Sequence, residues 1–392
     1  MAIELGESIP EGPPPTTPAG SGEPDYRSLE QSIAAIAPVA DKAVAYFYSL
    51  LFTAHPQLRS MFPLAMDEQR GKFLYALSRC IGDMQDSRKL ARYLGQLARD
   101  HRKYGVQDKH YPVLAETLAA SIPAFAGTAW DDAGAAAWRA AVEHICTVMA
   151  AAASDVADEP AWWIAEVTSH DRRGPDLAVL TIQPSPALPF RAGQYLTVQV
   201  TQWPRVWRPY SIGNAPRPDG SLDLHVRAVP GGLVSNALVQ QTQAGDTLVL
   251  GPARGEMAAS SGSQRDLLCL AGGTGLAPIK AIIEELAGTT PGGPSCSIEL
   301  FVGARQAADL YDLPDLRRLE AANPGLRVIT AVPEGPGAAD VRGSLPDAVR
   351  RCARLQDREV YVCGPRGMVR STLRLLAHRI PSRRIHYDTA DY

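Results

Sequence analysis

No two of the six cysteines form a C-x-x-C pair; Cys80, Cys146, Cys269, Cys296, Cys352 and Cys363 lie far apart. Their scatter argues against zinc ribbons, cysteine-ligated iron–sulfur clusters and covalently attached haem, and it suits a reducing, cytoplasmic compartment. Excess charge of either sign is also missing. Lys and Arg number 39 against 42 Asp and Glu, a net −3, so neither nucleic acid nor an anionic membrane is an electrostatic partner. The N-terminus lacks a basic stretch followed by an apolar core, and no apolar run looks long enough to span a bilayer. A soluble protein, as a monomer, is the expectation.

What is present is length and texture. At 392 residues the chain has room for two or three domains, and 45% apolar with 21% charged residues is ordinary for globular proteins. Residues 1–25, rich in Pro, Gly and acids, bury too little to repay ordering and read as a disordered tail. Residues 26–155 are helical in period, with Ile33, Ile36, Val39, Val44, Phe47 and Leu51 recurring at three-to-five-residue steps between breakers such as Pro56, Pro63, Gly82 and Gly105. The texture then changes. Short β-rich runs such as "LAVLTIQP", "QYLTVQV" and "LDLHVRAV" predict an antiparallel β-barrel over 160–258. Over 264–392 strands alternate with helices, the rhythm of a doubly wound parallel α/β domain.

Several short stretches carry chemistry. "LAGGTGLAP" leads from an apolar strand through Gly272, Gly273, Thr274 and Gly275 into a helix, a turn whose bare backbone can approach a pyrophosphate. It is not the G-x-G-x-x-G fingerprint, and a tight α/β turn without a ligand reads equally well locally. In "WRPYSIGNAP", Arg208 can fork onto a phosphate, Tyr210 can lie on a flat heterocycle, and Ser211 can hydrogen-bond a ring. "PGGLVSNAL" offers Gly231, Gly232 and Ser235 at a helix start, and "YVCGPRGM" ends a strand where open α/β sheets bind ligands. In "LARDHRKYGV", His101 stands among Arg99, Asp100, Arg102 and Lys103, a solvated composition; local sequence leaves open whether it is a surface residue or a metal ligand.

Taken together, "GQYL", "RPYS", "GGTGLAP" and "CGPRGM", in that order, resemble the ferredoxin–NADP reductase superfamily across residues 160–392. The resemblance implies that Tyr195, Arg208, Pro209, Tyr210, Ser211, Gly232, Leu233, Val234 and Ser235 bind FAD. It implies that Gly273, Thr274, Gly275, Arg305, Cys363, Gly364 and Pro365 serve NADH or NADPH. Arg305 without a basic cluster, beside Asp309 and Asp312 that would repel a 2′-phosphate, favours NADH. Cys363 reads as a small buried residue, not a nucleophile. At the C-terminus "IHYDTADY" carries Asp388 where relatives have Glu and Ala390 where they place an aromatic cover on the flavin, a place that Tyr392 can take.

A flavin reductase needs an acceptor, and residues 28–152 resemble the globin domain of flavohaemoglobins through "VAYFYSLLFTAHPQLRSMF" and "LARDHRKYGVQDKHYPVL". By that resemblance Tyr48 is the distal tyrosine, Phe62 wedges against the haem, His101 ligates the iron of haem b, and Tyr111 belongs to the proximal pocket. The family's distal Gln aligns near Phe73, which would leave Tyr48 without that partner, and Leu77 follows on the distal face. The proximal Glu of the last helix, counted from Trp138, falls on Ala153, with Asp155 nearby. The implied activity is that of a nitric oxide dioxygenase, with electrons passing from NAD(P)H through FAD to haem and with dioxygen and nitric oxide as substrates. Two alternatives stay open: a reductase serving another acceptor, and a dioxygen-binding or sensing globin kept reduced by its own flavin module.

Overall fold

The structure of the chain, a computed structural model, describes residues 26–127, 130–258, 265–288, 296–333, 337 and 339–389. The tail 1–25, Ala390 and Tyr392 lie outside the described residues. Two compact units are present: Met1–His101 with Gly105–Val156, and Arg102–Tyr104 with Ala157–Tyr392.

The first unit is helical: α1 (Tyr26–Ile36), α2 (Ala40–Ala54), α3 (Asp67–Gly82), α4 (Ser87–Arg102), α5 (His110–Ser121), α6 (Pro123–Ala126) and α7 (Asp132–Ser154). Proline opens the 3-10 turn Pro56–Met61, and Asp131 caps α7 by accepting the Gly134 N–H at 2.7 Å. In α4 the buried residues Leu90, Leu94 and Ala98 recur every fourth position, one face of a helix. They join Val44, Phe47 and Leu51 of α2 and Trp138, Ala141 and Val142 of α7 in one apolar cluster. The helical stretch Leu29–Ala54 is long and apolar enough by composition to cross a membrane, at mean hydropathy 1.3, which corrects the expectation that no such run exists. Within it Val44, Phe47, Tyr48 and Leu51 are buried in the helical core.

The second unit begins with six antiparallel strands: β1 (Trp163–Arg172), β2 (Leu177–Ser185), β3 (Tyr195–Val200), β4 (Arg208–Ser211), β5 (Leu222–Arg227) and, after the short helix α8 (Leu233–Asn236), β6 (Thr247–Leu250). Their order is β4-β3-β6-β1-β2-β5, and the bridge from Ile212 to Leu224 brings the two edges together into a nearly closed barrel. Along β1, Trp163, Ala165 and Val167 point inward while Ile164, Glu166 and Thr168 face out. Beyond α8 the chain continues as a π turn, Ala237–Gln241, whose Leu238 and Val239 enter the barrel core.

A parallel sheet follows: β7 (Leu267–Gly272), α9 (Leu276–Gly288), β8 (Ile298–Gly303), α10 (Leu313–Ala322), β9 (Leu326–Val332), β10 (Val341–Arg342), α11 (Leu345–Cys352), β11 (Glu359–Gly364), α12 (Arg366–Leu376) and β12 (Ile385–Thr389). The strand order is β10-β9-β8-β7-β11-β12. Every residue of β7 and of β11 is buried, because α9 and α10 cover one face of the sheet and α11 and α12 the other. The order reverses between β7 and β11. That reversal opens a crevice at their carboxyl ends, where doubly wound folds bind ligands.

Candidate functional site

In the helical unit, α2 presents Tyr48 and α3 presents Gln69, and Gln69 Nε2 donates to the Tyr48 hydroxyl at 3.2 Å. The expectation that Tyr48 lacks a glutamine partner is therefore corrected. The glutamine sits one helical turn before Phe73, on the same face of α3, so an alignment slipped by four residues keeps the face and misses the residue. Phe73 stacks on Phe47 at 4.8 Å and meets the Tyr48 ring edge-on at 5.6 Å. Phe62 also meets that ring edge-on, at 5.5 Å, and half-buried Leu77 lies one turn beyond Phe73. Burial pushes the Tyr48 phenol up to about 12, with the Gln69 hydrogen bond opposing. The hydroxyl accepts from Gln69 and so keeps its own proton for donation to a ligand.

His101 lies near the end of α4 and is half-buried, one turn past half-buried Leu97 and Ala98 of the buried stripe, while Arg99 is exposed. Lys103, read from sequence as part of a solvated face, is buried. His101 Nδ1 lies 2.7 Å from the Leu97 carbonyl, which can only accept, so Nδ1 carries the proton and the lone pair is on Nε2, the tautomer a metal ligand needs. This single oriented imidazole fits haem iron held by one protein ligand. Tyr111 of α5 is buried, its phenol pushed up to about 12 by burial with Asp108 and Cys146 adding, and the Cys146 thiol donates to the Tyr111 carbonyl at 3.6 Å. In α7, Ala153 is half-buried and offers no carboxylate, and Asp155 is exposed at the helix end.

In the barrel, β4 pairs with β3 so that Ser211 faces Tyr195, Tyr210 faces Leu196, Pro209 faces Thr197 and Arg208 faces Val198. Tyr210 belongs to the barrel core, Arg208 and Ser211 are half-buried, and Pro209 is exposed. A side chain at Gly255, where φ is +105°, would press within 3.2 Å of the Tyr195 ring. At the start of α8, a Cβ on Gly232 would stand 2.5 Å from Ser235 Oγ and 2.6 Å from Val229 Cγ2. Ser235 Oγ accepts the Val229 N–H, Val234 is buried and Leu233 is exposed. A half-buried guanidinium on β4 and a bare glycine turn at α8, both in the barrel, are the kinds of group that fit the phosphates of a dinucleotide flavin.

At the crevice of the parallel sheet two loops meet through naked backbone. A Cβ on Gly275 would lie 2.5 Å from Cys363 C and O and from Gly364 N, and one on Gly272 would lie 3.3 Å from Pro365 Cδ. Gly273 turns with φ of +54°, Gly364 has φ of +153°, and Thr274 is buried between the glycines. This seam lies at the carboxyl ends of β7 and β11 and leaves backbone room for a pyrophosphate at the start of α9. Cys363 is buried with its thiol pushed up by burial, Asp388 adding, which keeps it protonated. After β8, Arg305 is exposed and Asp309 faces Arg227 at 3.9 Å. Asp312, expected to repel a 2′-phosphate, is 1% exposed and bound by Lys280 Nζ at 2.8 Å and Arg173 Nη1 at 3.5 Å. Its charge is taken up inside the protein, so that expectation is corrected.

Sequence reasoning missed Gln69, although its place on the face of Phe73 and Leu77 was a usable signal. It also missed His225 and Tyr311, for which no local signal exists.

Residues 45–149 match the globin family, 165–258 the oxidoreductase FAD-binding domain and 269–374 the oxidoreductase NAD-binding domain. A flavohemoprotein of Rhizobium meliloti is 27% identical over 380 residues, 88% of this chain and 92% of its own. The ferredoxin–NAD(P)+ reductase component of naphthalene 1,2-dioxygenase/salicylate 5-hydroxylase systems of a Ralstonia species is 33% identical over 247 residues, 62% of this chain and 73% of its own. Among solved structures, a flavohemoglobin of Malassezia yamatoensis with bound FAD and heme superposes with TM-score 0.75 at 17% identity, covering 95% of this chain and all of its own, a likeness of fold.

Proposed function

Because the chain belongs to the flavohaemoglobins, NAD(P)H-dependent oxidoreductases that carry haem and FAD, we propose that it is a nitric oxide dioxygenase, converting dioxygen and nitric oxide to nitrate. Bound at these sites, the dinucleotide would supply a hydride, the flavin a means of splitting an electron pair, and the haem a one-electron centre for a gas substrate.

The residues divide the work. His101 offers Nε2 to the iron, and the Leu97 carbonyl holds the ring in that tautomer. Tyr48 would donate a hydrogen bond to a gas molecule, while the Gln69 amide fixes the hydroxyl and strengthens it as a donor. Phe62, Phe73 and Leu77 keep the distal side apolar. Arg208, Tyr210 and Ser211 with Tyr195, and the turn Gly232–Ser235, hold the flavin. Gly273, Thr274 and Gly275 with Cys363, Gly364 and Pro365 hold the nicotinamide dinucleotide. Arg305 is the single basic residue of the segment 304–313, which favours NADH as the donor.

The Gln69–Tyr48 hydrogen bond carries the reading, because it readies a buried hydroxyl to stabilise negative charge developing on a diatomic ligand. A second reading, a reductase feeding another acceptor, is favoured by Ala153, which supplies no carboxylate to the proximal side. An electrode measurement of nitric oxide consumption by the holoprotein, in air with NADH, separates the two. Rapid consumption that Tyr48→Phe slows supports the dioxygenase. NADH oxidation without nitric oxide loss overturns it.

A further inference from the structure

Within the second unit one buried imidazole on β5 joins the segment just past the flavin-assigned strand β4 with the loop assigned to the dinucleotide. His225 sits on β5 at 3% exposure, between Leu224 and Val226. Its Nδ1 is hydrogen-bonded to the Tyr311 hydroxyl at 2.7 Å, the rings edge-on at 5.6 Å. Tyr311, also buried, lies in the segment that leaves the carboxyl end of β8 and enters α10. On its other side the imidazole abuts Gly213, two residues past Ser211, where a Cβ would stand 2.8 Å from His225 Cδ2 and Nε2. His225 Nε2 has no hydrogen-bond partner among the described residues.

Further ties run in the same direction. Arg173 Nη1 donates to the Tyr311 carbonyl at 3.3 Å, and Arg173 Nη2 pairs with Asp315 at 3.0 Å. Lys280 of α9, the helix that starts at the glycine seam, binds Asp312 at 2.8 Å. Glu284 of the same helix accepts the Ala215 N–H at 3.1 Å, directly beyond the flavin strand. Burial pushes His225 down to about 3, with Lys280 adding, so the ring stays neutral and its hydrogen bond does not switch with pH. A buried ring kept with one nitrogen unpaired is costly, and core packing alone would be served better by an apolar side chain. The polar ring is explained if the Tyr311 bond itself has a task.

We propose that His225 and Tyr311 are positioning residues for hydride transfer, a strut that fixes the β8–α10 loop and the start of α9 against the flavin strand and so sets the approach of nicotinamide to flavin. The inference rests on the reading that this unit binds FAD and NAD(P)H at the sites described above. In the step served, a C–H bond of the dihydronicotinamide breaks and an N–H bond forms on the flavin, both electrons travelling with the hydrogen, to leave the oxidised dinucleotide and reduced flavin. A strut has no part in that bond-making, but an ångström of slack costs such a transfer heavily.

The test is Tyr311→Phe in the full-length holoprotein, which removes one hydroxyl and keeps the ring. Two measurements are paired: stopped-flow flavin reduction by NADH and deuterated NADH, and amide hydrogen exchange over residues 304–313. With FAD and haem contents unchanged, the expected result is flavin reduction slowed about ten- to a hundredfold, a larger isotope effect, and faster exchange in that loop. Gly213→Ala, which crowds the imidazole, should reproduce the pattern. Wild-type rates and wild-type exchange in Tyr311→Phe would overturn the strut. A wild-type protein whose flavin neither NADH nor NADPH reduces would instead refute the reductase reading itself.

Discussion

Gln69 Nε2 donates to the Tyr48 hydroxyl across 3.2 Å, tying α3 to α2 beside the ring of Phe73. Because the phenol oxygen is the acceptor in this bond, its own proton can serve a ligand on the proposed distal side. Tyr48→Phe removes that donor and should speed dioxygen dissociation from the reduced protein about ten- to a hundredfold, the worth of a hydrogen bond to a charged group. Gln69→Leu should have a smaller effect in the same direction. Flash photolysis of the dioxygen complex measures both, and the double variant should be no worse than Tyr48→Phe alone, since Gln69 acts through Tyr48.

His101→Gly should abolish the haem absorbance of purified protein and leave the flavin bands in place, because the globin match lies in one unit and the FAD-binding match in the other. Imidazole added to the medium should restore the haem band, since it returns the nitrogen that Nε2 is proposed to supply. A His101→Gly protein with an unchanged haem spectrum would remove His101 from the iron.

Gly275→Ala places a methyl group 2.5 Å from the backbone of Cys363 and Gly364, where no flexible side chain can yield. The two loops must part, at a cost of about 1–3 kcal/mol. The expected outcome is a raised KM for NADH with normal flavin content, read by steady-state kinetics and flavin absorbance. Gly71→Ala, with open space around the new methyl, should leave that KM unchanged.

Two buried phenols make stability sensitive to alkali. Tyr48 and Tyr111 are pushed from 10.0 up to about 12, so the folded chain favours their protonated forms more than the unfolded chain does. That contribution is complete below pH 10 and is lost as pH rises toward 12, up to about 3 kcal/mol for each group. Denaturant unfolding of the helical unit, followed between pH 8 and pH 11, should show a decline that Tyr48→Phe and Tyr111→Phe each lessen.

Much of this architecture was legible because period and punctuation are local. The spacing of Leu90, Leu94 and Ala98 predicts the buried face of α4, and that stripe, continued, reaches His101. The run "LLCLAGG" predicts a strand buried on both faces, as β7 is. Gln69 escaped because positions one turn apart share a face, so periodicity names the face and not the residue. β1 escaped because its outward half carries Glu166 and Thr168 and dilutes the apolar signal. Asp312 was misjudged because its partners, Lys280 and Arg173, are 32 and 139 residues away. The His225–Tyr311 bond is hidden for the same reason: it spans 86 residues and joins a barrel strand to a loop of the parallel sheet.

The central claim is that electrons from NADH drive the oxidation of nitric oxide by dioxygen. Its most direct test mixes holoprotein, NADH, oxygen-18 dioxygen and a pulse of nitric oxide, and analyses the products by mass spectrometry. The account predicts nitrate carrying two labelled oxygens, with one NADH oxidised for each pair of nitric oxide molecules. Unlabelled nitrite or nitrous oxide as the product, or NADH oxidation indifferent to nitric oxide, would contradict it.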